Sequence, residues 1–393
     1  LVFPKLFFPA VSPATGLLLS FATFGVGFVA RPLGGVVFGH FGDRVGRKKM
    51  LVYSLLVMGG ATVLMGLLPT YAQIGLAAPI LLTLLRLAQG FAVGGEWGGA
   101  TLMAVEHASD SRKGLYGAFP QMGAPAGTAC ATLAFWAVSR LPDDQFLAWG
   151  WRLPFVASAV LIVIGLVIRL SVPESPDFTA VRGREQVVRM PIAEAFRKHW
   201  KQILLVAGAY LSQGVFAYVC VAYLVSYATT VAEIDRTHAL FGVAVAAVVA
   251  VVTYPLFGAL SDRIGRKPVF LAGVVAMGAS IWPAFALINT GNALMFGAAL
   301  LLVFGFAMAP AAGVSGVSIG YTLSQVVGSA FAPAIATALY TATRTSDSIV
   351  AYLVVVSVIS GVAVCFLPGS WARSPADQSR ELDGGAADRL ELQ

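Results

Sequence analysis

From Pro268 to Thr343 the chain carries no Asp, Glu, Lys, Arg or His. Soluble domains are about one-quarter charged, so no water-facing surface fits so long a run without charge. The run is also too long for one bilayer crossing of about 20 residues. It therefore holds several crossings joined by uncharged turns. In lipid only helices and closed barrels satisfy every backbone group. The apolar runs here are continuous rather than alternating, which excludes a barrel and predicts an all-α membrane protein. The whole chain agrees, with 58% hydrophobic and 11% charged residues.

Pro, Gly and charge divide the sequence into eleven spans, near 15–40, 50–68, 74–104, 114–139, 151–172, 202–231, 238–260, 268–288, 291–312, 313–343 and 347–367. The net charge of +7 sits in short clusters between these runs, which speaks for membrane orientation rather than for a nucleic-acid surface. Loops at 43–49, 107–113, 173–201 and 262–267 are rich in Lys and Arg and fall on one side if the spans alternate. The positive-inside rule places that side in the cytoplasm of a multi-pass cell-membrane protein. Cys130, Cys220 and Cys365 are far apart within apolar runs and read as small hydrophobes. The four His residues show no metal-ligand spacing. Nothing in the chain has a catalytic constellation or a nucleotide loop, so it does not read as an enzyme.

Four regions follow. Residues 1–172 form a first helix bundle, 173–201 a central loop, 202–367 a second bundle, and 368–393 a disordered cytoplasmic tail. In the central loop, "MPIAEAFRKHWK" predicts a short amphipathic helix lying on the inner surface.

One charged phrase occurs twice, as "GHFGDRVGRKK" and "GALSDRIGRKP". It places Gly39, Asp43, Arg44, Gly46, Arg47 and Lys48 in the first bundle opposite Gly258, Asp262, Arg263, Gly265, Arg266 and Lys267 in the second. A parallel duplication about an axis along the membrane normal explains the repeat. Two spans precede the second phrase and one precedes the first. Matching halves thus imply two sets of six helices with the first largely missing before residue 1, so that "LVFPKLFFPAVSP" is an external loop. The phrase has the chemistry of a gate. Gly39 and Gly258 let helices approach, the Asp carboxylates can accept from helix N-terminal amides, and the cations can tie neighbouring helices.

The repeated phrase, "RLAQG" at Arg86–Gly90 and "PESPDF" resemble signatures of the major facilitator superfamily. Within it, "GGEWGGA" and "GLYGAFPQMG" are most similar to the metabolite:proton symporter family. That resemblance implies a secondary transporter for organic acids or osmolytes, with the proton as coupling ion, no other cofactor, and Arg86 linked to coupling. It implies that Asp43 faces the inner end of the span at 313–343. There the uncharged "AMAPAAGVSG" is shorter than the family's usual link, so Asp43 is expected to lack its usual partner.

An ionisable group inside a span is a functional candidate by default. Arg31, Arg86 and Glu96 meet that description. Arg86, Gln89, Val93 and Glu96 share one helical face, beside a Gly90, Gly94, Gly98 packing stripe. A coupling role for Arg86 and Glu96 stands against a structural ion pair between them. Arg169 is expected to snorkel. Gln121, Tyr210, Gln213, Tyr321 and Gln325 lie on polar faces of other spans and are candidates for lining a cavity. The function expected is proton-coupled uptake of a small polar metabolite by a monomer in the lipid bilayer, through alternating access. An uncoupled facilitator and a non-transporting relic are the rival readings.

Single cysteines placed in the four Lys/Arg-rich loops should resist an impermeant thiol reagent added outside intact cells. Strong labelling at any of the four would reject this topology.

Overall fold

The computed structural model describes residues 2–106, 108–109, 112–171, 191–314 and 319–367. These residues form helices throughout, with eleven long rods. In chain order they are α1 (Pro13–Val45), α2 (Arg47–Leu67), α3 (Ala77–Glu106), α4 (Lys113–Val138) and α5 (Leu153–Ser171). α6 joins Pro191–Tyr218 through a π turn at Val219–Tyr223 to Leu224–Thr230. α7 is Arg236–Ile264 and α8 is Arg266–Ile288. α9 joins Ala293–Leu300 through a π turn at Leu301–Ala307 to Ala309–Gly313. α10 joins Ile319–Ser324 through a π turn at Gln325–Ser329 to Ala332–Thr343, and α11 is Asp347–Phe366. Ten of the rods are long and apolar enough to cross a bilayer. The remaining one, α4, has 26 residues and packs along α7.

Local chemistry sets the ends of the helices. Ser12 caps α1 by accepting from the Thr15 amide, with Pro13 in the first helical position, where its missing N–H costs nothing. Asp235 caps α7 through the Thr237 amide. Between α1 and α2 the chain turns at Gly46, with φ 113° and ψ 136°. Between α7 and α8 it turns at Gly265, with φ 94° and ψ 153°. These paired backbone conformations belong to glycine, which explains why both copies of the phrase carry one there.

Each turn is followed by a lysine that ties it to a distant helix. Lys48 Nζ donates to the Leu170 carbonyl at the end of α5, at 2.6 Å. Lys267 Nζ donates to the Cys365 and Leu367 carbonyls at the end of α11, at 2.9 and 3.2 Å. Both ammonium groups meet the negative end of a helix dipole, the favourable sense. At the opposite end of the first bundle, Arg152 donates to the carbonyls of Gly66 and Leu68, which close α2. The corresponding end of the second bundle uses neutral groups. There Tyr227 donates to Asn289, and Asn289 donates to Ser346.

α5 buries none of its residues and presents Val160, Leu161, Val163 and Ile168 outward. That is the surface of a helix solvated by lipid. The densest packing lies in the second bundle, around Phe216, Phe270, Met277, Phe285 and Phe296.

The segment at the start of the chain, expected as an external loop, holds a short helix at Phe3–Phe7, and buried Phe7 packs edge-on against buried Trp151. Two expectations need correction. The helix that begins at Pro191 is not a separate surface element but runs on into the span. Gly39 makes no close approach, since a Cβ there would meet nothing within 4 Å. Residues 172–190 of the central loop and the tail from 368 lie outside the described residues.

Gly46→Ala and Gly265→Ala should each destabilise the protein by about 1–3 kcal/mol, because alanine must adopt a glycine-only conformation. Gly39→Ala should not lower the melting temperature. Thermal unfolding in detergent checks all three.

Candidate functional site

α1 and α3 cross at contact distance, and the site forms at their crossing. A Cβ on Gly90 would collide with the Gly27 carbonyl oxygen, one on Gly94 with that of Arg31, and one on Gly34 with that of Phe91. The small residues expected to pack α3 therefore do so against backbone. Gly98 lies outside the residues whose surroundings are described. This approach brings Arg31 beside Arg86 and Gln89 in the wall of one cavity of about 230 Å³. Phe24, Gly27, Phe28, Gly90 and Val93 complete its first-bundle wall, and Tyr218 of α6 contributes from the second bundle.

The cavity is cationic and aromatic. Arg86 Nη1 donates to Gln89 Oε1 at 3.0 Å, and Gln89 Nε2 donates to Thr62 Oγ1 of α2 at 2.8 Å. That chain fixes the amide and leaves Arg86 with further donors. The Arg86 guanidinium lies 5.5 Å from the Phe24 ring centroid and 5.7 Å from that of Phe3. Arg31 lies over Phe28 at 3.7 Å, and its Nε is buried without a hydrogen-bond partner in the structure. Tyr218 packs on both Phe24 and Phe28. Asp and Glu are absent from the lining residues.

The other sequence candidates are not among the residues that line this cavity. Glu96 does not pair with Arg86. Its carboxylate takes Arg169 of α5, which also donates to the Leu51 carbonyl of α2. Arg169 thus joins three helices instead of snorkelling away from them. Tyr210 donates to the Val314 carbonyl and stacks edge-on with Tyr321. Gln213 and Gln325 are buried near Gly214, where α6 meets α10. Gln213 Oε1 and, on α4, Gln121 Nε2 lack hydrogen-bond partners in the structure. Thr128 and Thr132 bond carbonyls of their own helix.

Sequence reading missed Phe24, Phe28, Tyr218 and Thr62. Phe24, Phe28 and Arg31 follow helical i, i+4, i+7 spacing, a signal that could have found the aromatic wall. Tyr218 immediately precedes a π turn, which re-aims side chains in a way no regular period foretells.

The gating phrase is visible in its second copy. Asp262 accepts from the backbone amides of Gly114 and Leu115 at 2.7 and 3.0 Å. Those amides open α4, so a carboxylate of the second bundle sits on the positive helix end of the first. Gly258 makes room, because a Cβ there would lie 2.7 Å from that of Ala118. Arg263 is exposed and Arg266 half-buried. The side chains of Asp43, Arg44 and Arg47 lie outside the described residues. At the far end of the same helix pair, Arg236 of α7 donates to the Ser139 carbonyl and to Asp143, and stacks on Phe146.

Comparison with known proteins bears on the family and the fold. A family model described as Major Facilitator Superfamily matches residues 6–316. The chain is 40% identical over 361 residues to the inner membrane metabolite transport protein YhjE of Escherichia coli (strain K12), covering 87% of this chain and 82% of that one. It is 39% identical over 360 residues to a shikimate transporter of the same organism, with the same coverage. A proline/betaine transporter of Salmonella typhimurium is 34% identical over 309 residues, covering 76% of this chain and 62% of that one. Among solved structures, a D-xylose-proton symporter superposes with a TM-score of 0.69 at 16% identity, covering 95% of this chain and 92% of that one. At such identity the likeness is one of fold.

Asp262→Ala removes the anion from the α4 N-terminus and should cost about 0.5–2 kcal/mol. It should also speed thiol labelling of a Tyr218→Cys reporter from the Lys/Arg-rich face of inside-out vesicles. An unchanged labelling rate would show that this contact does not close that face.

Proposed function

The chain belongs to the major facilitator superfamily, and on that premise we propose that this multi-pass cell-membrane transporter takes up a small organic anion together with protons. The observation that carries the reading is the cavity: two arginines converge on it, and no lining residue is a carboxylate. A half-buried pair of guanidiniums without a counter-charge is costly. A bound carboxylate supplies that charge, and each guanidinium offers it a bidentate fork. Phe24, Phe28 and Tyr218 suit an apolar or cyclic body. The proton is the coupling ion in this reading, and no other cofactor is required. One chain supplies cavity walls from both bundles, which supports a monomeric carrier.

Transport follows from which contacts can open. Asp262 and the α4 amides join the bundles at the Lys/Arg-rich end, and Arg236 with Asp143 joins them at the other. Breaking one set while keeping the other exposes the cavity to a single side, which is alternating access. Arg86 and Arg31 hold the anion meanwhile. Net positive charge in the empty cavity also opposes the opening of a pathway for other cations.

A zwitterionic osmolyte is the second reading. It is favoured by the aromatic walls, which suit an ammonium group, and by the kinship with a proline/betaine transporter.

Proteoliposomes with an imposed inward proton gradient separate these readings. Labelled shikimate should accumulate uphill, a protonophore should abolish the accumulation, and Arg86→Gln should depress it by at least about tenfold, the loss of about 1.4 kcal/mol of differential binding. Accumulation of glycine betaine without shikimate would favour the osmolyte. Uptake indifferent to the proton gradient would mark a facilitator.

A further inference from the structure

α6 and α11 pack side by side, and their contacts fix a common register. Ser360 Oγ accepts from the Ser212 amide at 2.9 Å and donates to the Gly208 carbonyl at 2.8 Å. A Cβ on Gly208 would lie 3.0 Å from that of Ala363. From that contact both helices can be followed toward the Lys/Arg-rich end. Lys201 precedes Gly208 by seven residues, two helical turns, so the two share a face of α6. Lys201 lies about 10 Å of helix rise beyond the contact, and Leu367, four residues after Ala363, about 6 Å beyond it. Lys201 therefore stands just past the carboxyl end of α11. We propose that this corner binds an anionic phospholipid of the inner leaflet, with the headgroup phosphate at Lys201 and Trp200 and the acyl chains over Leu204 and Phe366.

The charge at this corner is not spent within the protein. The carboxyl end of α11 is partly negative, and Lys267 already answers it through the Cys365 and Leu367 carbonyls. Lys201 is exposed and pairs with no carboxylate among the described residues. Its ammonium lies 5.7 Å from the Trp200 ring centroid. In the turns before it, α6 carries Arg197 and Lys198 against one acid, Glu194.

The apolar part of the corner sits at the matching depth. Trp200 and Phe366 are the terminal residues of two adjoining spans. An indole favours the boundary between lipid and water, where its N–H can donate to a phosphate or ester oxygen. Leu204 lies about 6 Å from the Gly208–Ala363 contact along α6, and Phe366 about 4.5 Å from it along α11, so both stand at one level. They are 49% and 71% exposed, which leaves each open to an acyl chain.

Charge selects the headgroup. A zwitterionic lipid brings its own ammonium, which Lys201 and the neighbouring cations repel. A net-negative headgroup brings none and gains the attraction of a basic cluster at the membrane surface. A lipid seated here touches the first and the last helix of the second bundle and bridges their ends. This binding does not depend on what the carrier transports.

Lipids with brominated chains quench nearby tryptophans. The full chain is held in phosphatidylcholine vesicles, and brominated phosphatidylglycerol or brominated phosphatidylcholine is added in steps. Trp200 emission is obtained by subtracting the Trp200→Phe signal in each background. It should be quenched at a lower fraction of the phosphatidylglycerol than of the phosphatidylcholine. Lys201→Gln should weaken that preference by about fivefold, the share of one lysine near an anionic surface, and Lys201→Arg should keep it. Lys49→Gln removes an equally exposed lysine from another Lys/Arg-rich loop and should leave it unchanged. Equal quenching by the two lipids in wild type overturns the proposal, as does a preference that survives Lys201→Gln. A loss in Lys49→Gln as large as that in Lys201→Gln also overturns it, because the attraction would then belong to the whole membrane face and not to this corner.

Discussion

The contact between glycine and backbone at the α1–α3 crossing governs the rest of the first bundle. In lipid there is no hydrophobic gain from bringing two apolar helices together, so association depends on close packing and polar contacts. Gly27, Gly34, Gly90 and Gly94 allow backbone to touch backbone at that crossing. Any side chain at these positions would push the helices apart. The separation of Arg31 from Arg86 is set by this crossing, as is the width of the cavity they share. Overpacking usually costs about 1–3 kcal/mol, but here it would also dismantle the site. Stability and function draw on the same few missing methyl groups.

Much of the fold was written in charge and periodicity. The uncharged run from Pro268 to Thr343 required several helices, and α8, α9 and α10 occupy it. The duplicated phrase located both tight turns, and the structure gives the shared reason in the backbone of Gly46 and Gly265. The site was legible in part. Arg31, Arg86 and Gln89 stood out because polar groups are costly in lipid, and they meet in one cavity. Their aromatic neighbours did not stand out, because Phe is the ordinary material of a membrane span. The partner of Glu96 could not be read at all. Arg169 comes from a helix 73 positions away, and no local spacing encodes that meeting. The π turns at Val219–Tyr223, Leu301–Ala307 and Gln325–Ser329 were equally hidden. One of them leaves the Gly305 carbonyl to accept from Thr253 of α7, a contact that a regular helix would have spent on itself.

The two bundles do not meet alike along their seam. α4 and α7 are joined at both ends by charged groups, Asp262 at one and Arg236 at the other. α1 and α10 meet nearer the middle of the membrane, where a Cβ on Gly25 would lie 2.8 Å from the Ala330 carbonyl oxygen. Charged contacts at a membrane surface exchange readily with water, since desolvation there is slight. A close backbone contact in the bilayer core has no such substitute. The ends of the seam are thus suited to opening and its middle to serving as a pivot.

The two lysines that follow the glycine turns have a mechanical meaning. Each reaches from the turn after one of the early helices of its bundle to the carbonyl end of that bundle's last helix. A row of helices in which only neighbours touch could bend like a hinged screen. With its final panel fastened back, the screen becomes a drum, and torque applied at one wall is carried around the whole circumference. Movement then concentrates at the seam between two drums instead of dissipating within either one. A lysine at the membrane surface, touching no substrate, thereby helps determine that the carrier rocks instead of flexing.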